Sequence, residues 1–301
     1  MMRITQRAIS LTSLQGLNAN LSAVNRLQEQ LTSGKKISRP SDSPTGTNAA
    51  MLTRADLAST DQQARNISDA TTFLDSADTA LQNMMTQTQR IRDLTVQALN
   101  TGALSSESQG AIAAEVRQLR ESLLGQANTV VQGRPIFGGV TAGRTAYDAA
   151  GGYVGVGGTA TVPVYPVTRQ VSDVEQVRVD VTGPEAFGPN GSNLFDVVGD
   201  IATHVAAGDA TSLTADLDAL DAAFSRMSDA VADLGARQAR IEKAGTINQS
   251  RQLSLTARQT DVEDIDMPKT IMELNMQKTG YQAALQATAQ ALQPTLLDFL
   301  R

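Results

Sequence analysis

Residues 211–241, TSLTADLDALDAAFSRMSDAVADLGARQARI, place Leu213, Leu217, Leu220, Phe224, Met227, Val231 and Leu234 at steps of three and four, with Ile241 one heptad further on. Residues so spaced lie on one face of an α-helix, and a stripe this narrow suits a helix packed almost parallel to another. The pattern predicts one helix over 211–259, roughly 70 Å long at about 1.5 Å per residue. An ordinary globular helix has about three turns, so a rod is expected.

Four further stripes agree. The first holds Leu14, Leu17, Leu21, Val24 and Leu31, with Gln28 in its polar slot. A second runs Leu74, Ala77, Leu81, Met84, Thr88, Ile91, Thr95, Ala98, and a third Ile112, Val116, Leu119, Leu123, then Val130. The last is Ile271, Leu274, Tyr281, Leu285, Thr288, Leu292 and Phe299, with Lys278 and Thr295 in its remaining slots. Any one stripe could be plain core packing; together they predict an elongated helical bundle or coiled-coil rod.

The middle differs in kind. Residues 133–193 are dense in Gly and Pro, as in GGYVGVGG and TGPEAFGPNGS, with β-type runs at Thr159–Val167 and Val177–Val181. The second alternates Val, Arg, Val, Asp, Val with period two. A small β-rich domain inserted between two helical halves is expected. Few of its residues join the stripes, which predicts that the helical core can do without it. The expected fold is therefore mainly α with a β-rich insertion, its rod built from both termini.

Two breaks set the terminal helices apart. SGKKISRPSDSPTGTN, residues 33–48, interrupts the first helix with Gly34, Pro40 and Pro44, and Ser41 or Asp42 can cap the next element. Near the other end, DVEDIDMP at 261–268 offers Asp266 as an N-cap with Pro268 in the first turn.

Composition narrows the function classes. The 301 residues are only 3% aromatic and 19% charged, with net charge −6, one His and no Cys. Scarce aromatics argue against one enzyme-like core. Without cysteine there are no disulfides, thiolate metal sites or Cys nucleophiles, and scattered Lys and Arg give no nucleic-acid footprint. MMRITQRAIS lacks a continuous apolar h-region, so a cleaved signal peptide is not expected, and no apolar run reaches membrane-spanning length.

Catalytic and cofactor motifs fail on inspection. His204 has no second histidine and no nucleophile motif beside it and is read as a helix-face residue. Gly155-Val-Gly-Gly-Thr-Ala160 matches a dinucleotide fingerprint formally, but Pro163 and Pro166 prevent the helix that would hold a pyrophosphate. Asp261, Glu263, Asp264 and Asp266 lack the Gly and Glu spacing of a calcium loop and read as a solvated capping stretch. No catalytic residue, metal or cofactor is expected.

These residues resemble the flagellin superfamily. Met2-Arg-Ile-Thr5, and Gln30 to Pro44 (QLTSGKKISRPSDSP), look like its "Q-L-x-S-G-K-R-I-x-x-P-S-D-D-P" signature. Filament subunits tend to carry "S-A-A-D-D-A-A" where this chain has Pro40-Ser41-Asp42. Gly133–Gly139 (GRPIFGG) resembles "G-R-Y-x-F-G-G", Val262–Asp266 (VEDID) resembles "V-E-D-V-D", and Tyr281-Gln-Ala-Ala-Leu to Leu296-Leu-Asp-Phe-Leu300 resembles the family's C-terminus. The likeness covers roughly residues 1–139 and 190–301. Ser43 stands for the second Asp of the loop, Pro135 for the usual Tyr, and Pro294 is expected to interrupt the last helix near Ala291–Gln293.

The resemblance implies terminal coiled-coil arms at 1–33 plus 267–301 as an inner layer, an α-helical rod at 45–132 plus 194–260, and an outward-facing insertion at 133–193. It implies a structural, extracellular part of the bacterial flagellum, exported by a type III route without a cleaved signal. Such a subunit would form a ring with copies of itself where hook meets filament, between a neighbouring hook-associated protein and flagellin. An export chaperone would hold its C-terminal arm. The implied assembly residues are Leu14, Leu17, Leu21, Val24, Leu31, Arg39, Pro40, Ser41, Asp42, Pro44, Ile271, Leu274, Tyr281, Leu285 and Leu292. A filament subunit and, from another class, a coiled-coil scaffold or signalling protein stand as alternatives.

Overall fold

The structure is a computed structural model that describes residues 2–100, 105–159 and 161–291. Among them are seven helices: α1 (Met2–Ser33), α2 (Pro44–Asn100), α3 (Ser106–Ala127), α4 (Gly183–Phe187), α5 (Leu194–Ala207), α6 (Ala210–Glu263) and α7 (Met267–Ala291). The strands are β1 (Val130–Val131), β2 (Arg134–Pro135), β3 (Thr168–Gln170) and β4 (Gln176–Arg178), in two antiparallel pairs. The fold is mainly α, as expected. None of the described helices is long and apolar enough to cross a membrane. Leu292, Phe299, the C-terminal LLDFL motif and Pro294 lie outside the described residues.

The chain divides into two compact units, residues 60–250 and residues 1–59 with 251–301. In the larger unit the stripes become core. Leu74, Ala77, Leu81, Met84 and Ile91 of α2 are buried, as are Leu213, Leu220, Met227, Leu234 and Ile241 of α6. Thr88 and Thr95 tolerate burial because their hydroxyls donate to the carbonyls of Met84 and Ile91, each at 2.8 Å.

One member of the third stripe departs. Ser105 caps the start of α3, and the helix ends at Ala127, so Val130 opens β1 instead and is exposed. Asn128 turns the chain there. Its Oδ1 accepts the N–H groups of Ala146 (2.7 Å) and Tyr147 (2.9 Å), and its Nδ2 donates to the Tyr147 carbonyl. Gln132 and Gly133, at φ 52° and 80°, form the two-residue turn that pairs Val131 with Arg134. Positive φ at both positions is what a tight hairpin of this hand requires.

The insertion differs from the sequence expectation in two ways. Its hairpin pairs Thr168 with Arg178 and Gln170 with Gln176, while the run Thr159–Val167 forms no strand among its described residues. Pro163 and Pro166 remove two ladder donors from that run. More importantly, the insertion is not a loosely attached module. Phe137, Tyr147, Val177, Val179 and Phe187 share one buried core with Leu123 of α3 and Leu194, Phe195 and Val198 of α5. Much of the chain's small aromatic content lies here, with Tyr147 and Phe195 centroids 4.7 Å apart.

In the smaller unit α1 packs against α7. Val24 and Leu274 are buried, and Leu17, Leu27, Leu31 and Tyr281 are half-buried. Gln277 Nε2 donates to Asn20 Oδ1 at 3.1 Å within the same pairing. Among the described side chains the sheltered positions of α1 are 13, 17, 20, 23, 24, 27, 30 and 31, and those of α7 are 270, 274, 277, 281, 284 and 288.

Candidate assembly site: the connector and its buried carboxylate

The connector of residues 34–43 joins α1 to α2. Gly34 ends α1 in the left-handed region at φ 71°, where glycine carries no Cβ penalty. The chain then pairs with the α6–α7 link in a short antiparallel bridge between Lys35 and Asp264. Lys36 N–H donates to the Glu263 carbonyl at 2.6 Å, and Ile265 N–H donates to the Gly34 carbonyl at 3.1 Å.

Beyond the bridge the chain makes a tight turn closed by Asp42. One oxygen, Oδ2, accepts the N–H groups of Arg39 (2.8 Å) and Ser38 (3.1 Å). The Arg39 and then the Ser38 amide hold the Asp42 carboxyl below its usual range. Arg39 Nη2 donates to Glu29 Oε1 of α1 at 3.0 Å, and Pro40 and Ser41 are exposed at the apex.

The cap of α2 is Ser43, a correction to the expectation of Ser41 or Asp42. Its Oγ accepts Gly46 N–H at 3.1 Å, with Pro44 at the first helical position. Asp42 is unavailable because its carboxylate faces back to close the turn. Serine and aspartate are about equally good N-caps, which accounts for Ser43 at a place where the family signature has Asp.

The most strongly perturbed acid lies beneath this connector, and the sequence reading missed it. Glu263, expected on a solvated stretch, is 1% exposed. Arg54 of α2 grips it with both ends of its fork, Nε to Oε1 at 2.7 Å and Nη2 to Oε2 at 2.8 Å. Lys35 Nζ adds a third donor to Oε2 at 2.9 Å. The Arg54 bonds, and next the Lys35 bond, outweigh the cost of burial and hold the Glu263 pKa at about 2. No stripe flags either cation, since Lys35 lies in the connector outside any helix and Arg54 sits at an exposed position of α2. Asp266 does cap α7, its Oδ1 accepting Lys269 N–H at 3.2 Å.

The remaining sequence candidates fall into two groups. Leu17, Val24, Leu31, Leu274 and Tyr281 are sheltered between α1 and α7. Leu14 (50% exposed), Leu21 (41%), Ile271 (47%) and Leu285 (42%) face outward. His204 has a partner that its sequence neighbourhood does not reveal: Nδ1 lies 2.6 Å from Asp216 Oδ2, and this contact raises its pKa. Among the described residues no group of three or more acidic or histidine side chains could hold a metal.

A helical fold made from both chain ends, closed by a polar connector and carrying outward apolar faces, is that of a structural assembly subunit. Residues 4–142 match the bacterial flagellin N-terminal helical region, and residues 217–300 match the bacterial flagellin C-terminal helical region. The chain belongs to the bacterial flagellin family and is a structural component of the flagellum. It is 28% identical over 312 residues to the flagellin of Bacillus subtilis, covering 100% of both chains. It is 26% identical over 311 residues to flagellar hook-associated protein 3 of Escherichia coli, covering 95% of this chain and 96% of that one. Its fold is similar to the crystal structure of the flagellar junction protein FlgL from Legionella pneumophila, with TM-score 0.56 and 16% identity over 72% of this chain and 100% of that one.

Proposed function

We propose that this protein joins the hook to the filament, assembling as a ring of identical subunits between a neighbouring hook-associated protein and flagellin. The observation that carries the reading is the connector. Pro40-Ser41-Asp42 replaces the alanine-rich form to which filament subunits tend, and Asp42 folds it into a closed turn with Pro40 and Ser41 outward. That shape suits contact with a neighbouring subunit and contains no catalytic arrangement.

In this reading the arms at 1–33 and 267–301 form the inner layer, residues 45–132 and 194–260 the rod, and 133–193 the outer face. Leu14, Leu21, Ile271 and Leu285 are then covered by neighbouring copies, because a two-helix pairing leaves its outer side bare. The subunit reaches its extracellular place through the type III export apparatus, with a chaperone on the C-terminal arm. A second reading, a filament subunit, is favoured by the full-length similarity to the Bacillus subtilis flagellin.

Gold labelling of intact flagella separates the two. The junction reading expects label only at the hook–filament boundary, and loss of the gene should release flagellin unpolymerised into the medium. Label along the filament would establish the second reading.

A further inference from the structure

Among the described residues of the smaller unit, Glu263 is the one charged side chain sealed from solvent. It is the last residue of α6, just before α7, and its partner Lys35 stands just past the end of α1. Arg54 reaches it from α2. The three groups therefore meet where both arms begin.

The pairing beyond that point specifies itself weakly. Among the described residues only Val24 and Leu274 are buried apolar side chains in it; Leu17, Leu27, Leu31 and Tyr281 are half-buried, and Asn20, Gln30, Thr270, Gln277 and Thr288 share the sheltered face. A helix slid by one heptad presents the same face again, so a polar, half-open seam resists such a slip poorly. A hydrogen-bonded polar pair such as Asn20 with Gln277 is one device that can fix register. A buried carboxylate gripped by two half-exposed cations at the base of both helices is another, and register is the best-attested role for buried polar or ionic groups.

We infer that Glu263 is a positioning residue that sets the register of the arms, by pinning Lys35 and Arg54 at the point where α1 and α7 leave the longer helices. Its geometry is internal to the chain, so the inference does not depend on where in the flagellum the protein sits. Only its consequence for assembly rests on the proposed function.

The chain has no cysteine, so Asn18→Cys with Gln282→Cys, both exposed and outside the seam, can be spin-labelled uniquely in the full chain. Pulsed dipolar spectroscopy should give one narrow distance with Glu263 present. In Glu263→Met a second population should appear, displaced along the helix axis by about 10 Å, the rise of one heptad. Glu263→Gln, which keeps the shape and one acceptor oxygen, should show less of it. The melting of the larger unit should be unchanged in both variants, separating slippage from general unfolding. A single unchanged distance in Glu263→Met would overturn the inference. Loss of any defined distance would also overturn it, since Glu263 would then be holding the arms together and not in register.

Discussion

Phe187→Ala tests whether the insertion belongs to the core of the larger unit. Phe187 is fully buried, and its ring lies 5.0 Å from Phe137, 5.5 Å from Phe195 and 5.9 Å from Tyr147, centroid to centroid. Truncating a buried Phe to Ala costs about 3–5 kcal/mol, within which each aromatic pair contributes about 0.5–1.5 kcal/mol. With three pairs lost together, about 4 kcal/mol is expected. At about 2–4 °C per kcal/mol for a unit of this size, the midpoint should fall by about 8–16 °C. The assay is thermal unfolding of the full chain followed by helical ellipticity. Tyr165→Ala, in the same insertion but half-exposed, serves as control and should move the midpoint by about 2 °C or less. If Phe187→Ala shifts the helical transition no more than Tyr165→Ala does, the insertion unfolds separately and the common core is wrong.

Four other outcomes are expected. Glu263 has its pKa lowered from 4.5 to about 2, so its contribution is complete above about pH 4.5 and is lost as pH falls towards 2. Linkage puts it at about 3 kcal/mol, reduced to about 1–2 kcal/mol because Arg54 and Lys35 are half-exposed. Urea unfolding of wild type and Glu263→Gln should differ by that amount at pH 7 and converge only as pH falls to about 2. Ser43→Ala should lower stability by about 1 kcal/mol through loss of the α2 cap, and Ser43→Asp should not; urea midpoints decide. Asp216 raises the His204 pKa, so the pair stabilises the fold below pH 6.5 and the gain fades as pH rises through the folded value. His204→Gln should flatten that part of the stability–pH curve. Leu14→Glu with Leu21→Glu should leave the monomer's melting nearly unchanged, as exposed positions do, yet abolish incorporation into flagella scored by electron microscopy.

Helix identity and extent were legible because hydrophobic periodicity and capping are local. The stripe beginning at Leu213 predicts a helix over 211–259 and the chain forms Ala210–Glu263, while Gly34 and Asp266 mark real ends. The sequence signal could not choose between two stripes that share positions 17, 24 and 31. Hydrophobicity favours Leu14 and Leu21 as the second row, but the pairing of α1 with α7 shelters Asn20 and Leu27 and leaves those leucines outside. The same choice recurs on α7, where 274, 281 and 288 are shared and Gln277 is sheltered in place of Ile271 and Leu285. Composition did reveal that aromatics were few, but not that Phe137, Tyr147, Phe187 and Phe195 would gather to bind the insertion to α5. Glu263 was beyond reach for the same reason: its forked partner Arg54 lies 209 residues away. Local spacing determines which residues share a face of a helix. What that face meets, and which carboxylate becomes buried, is set by contacts between distant segments, and only the tertiary structure brings those together.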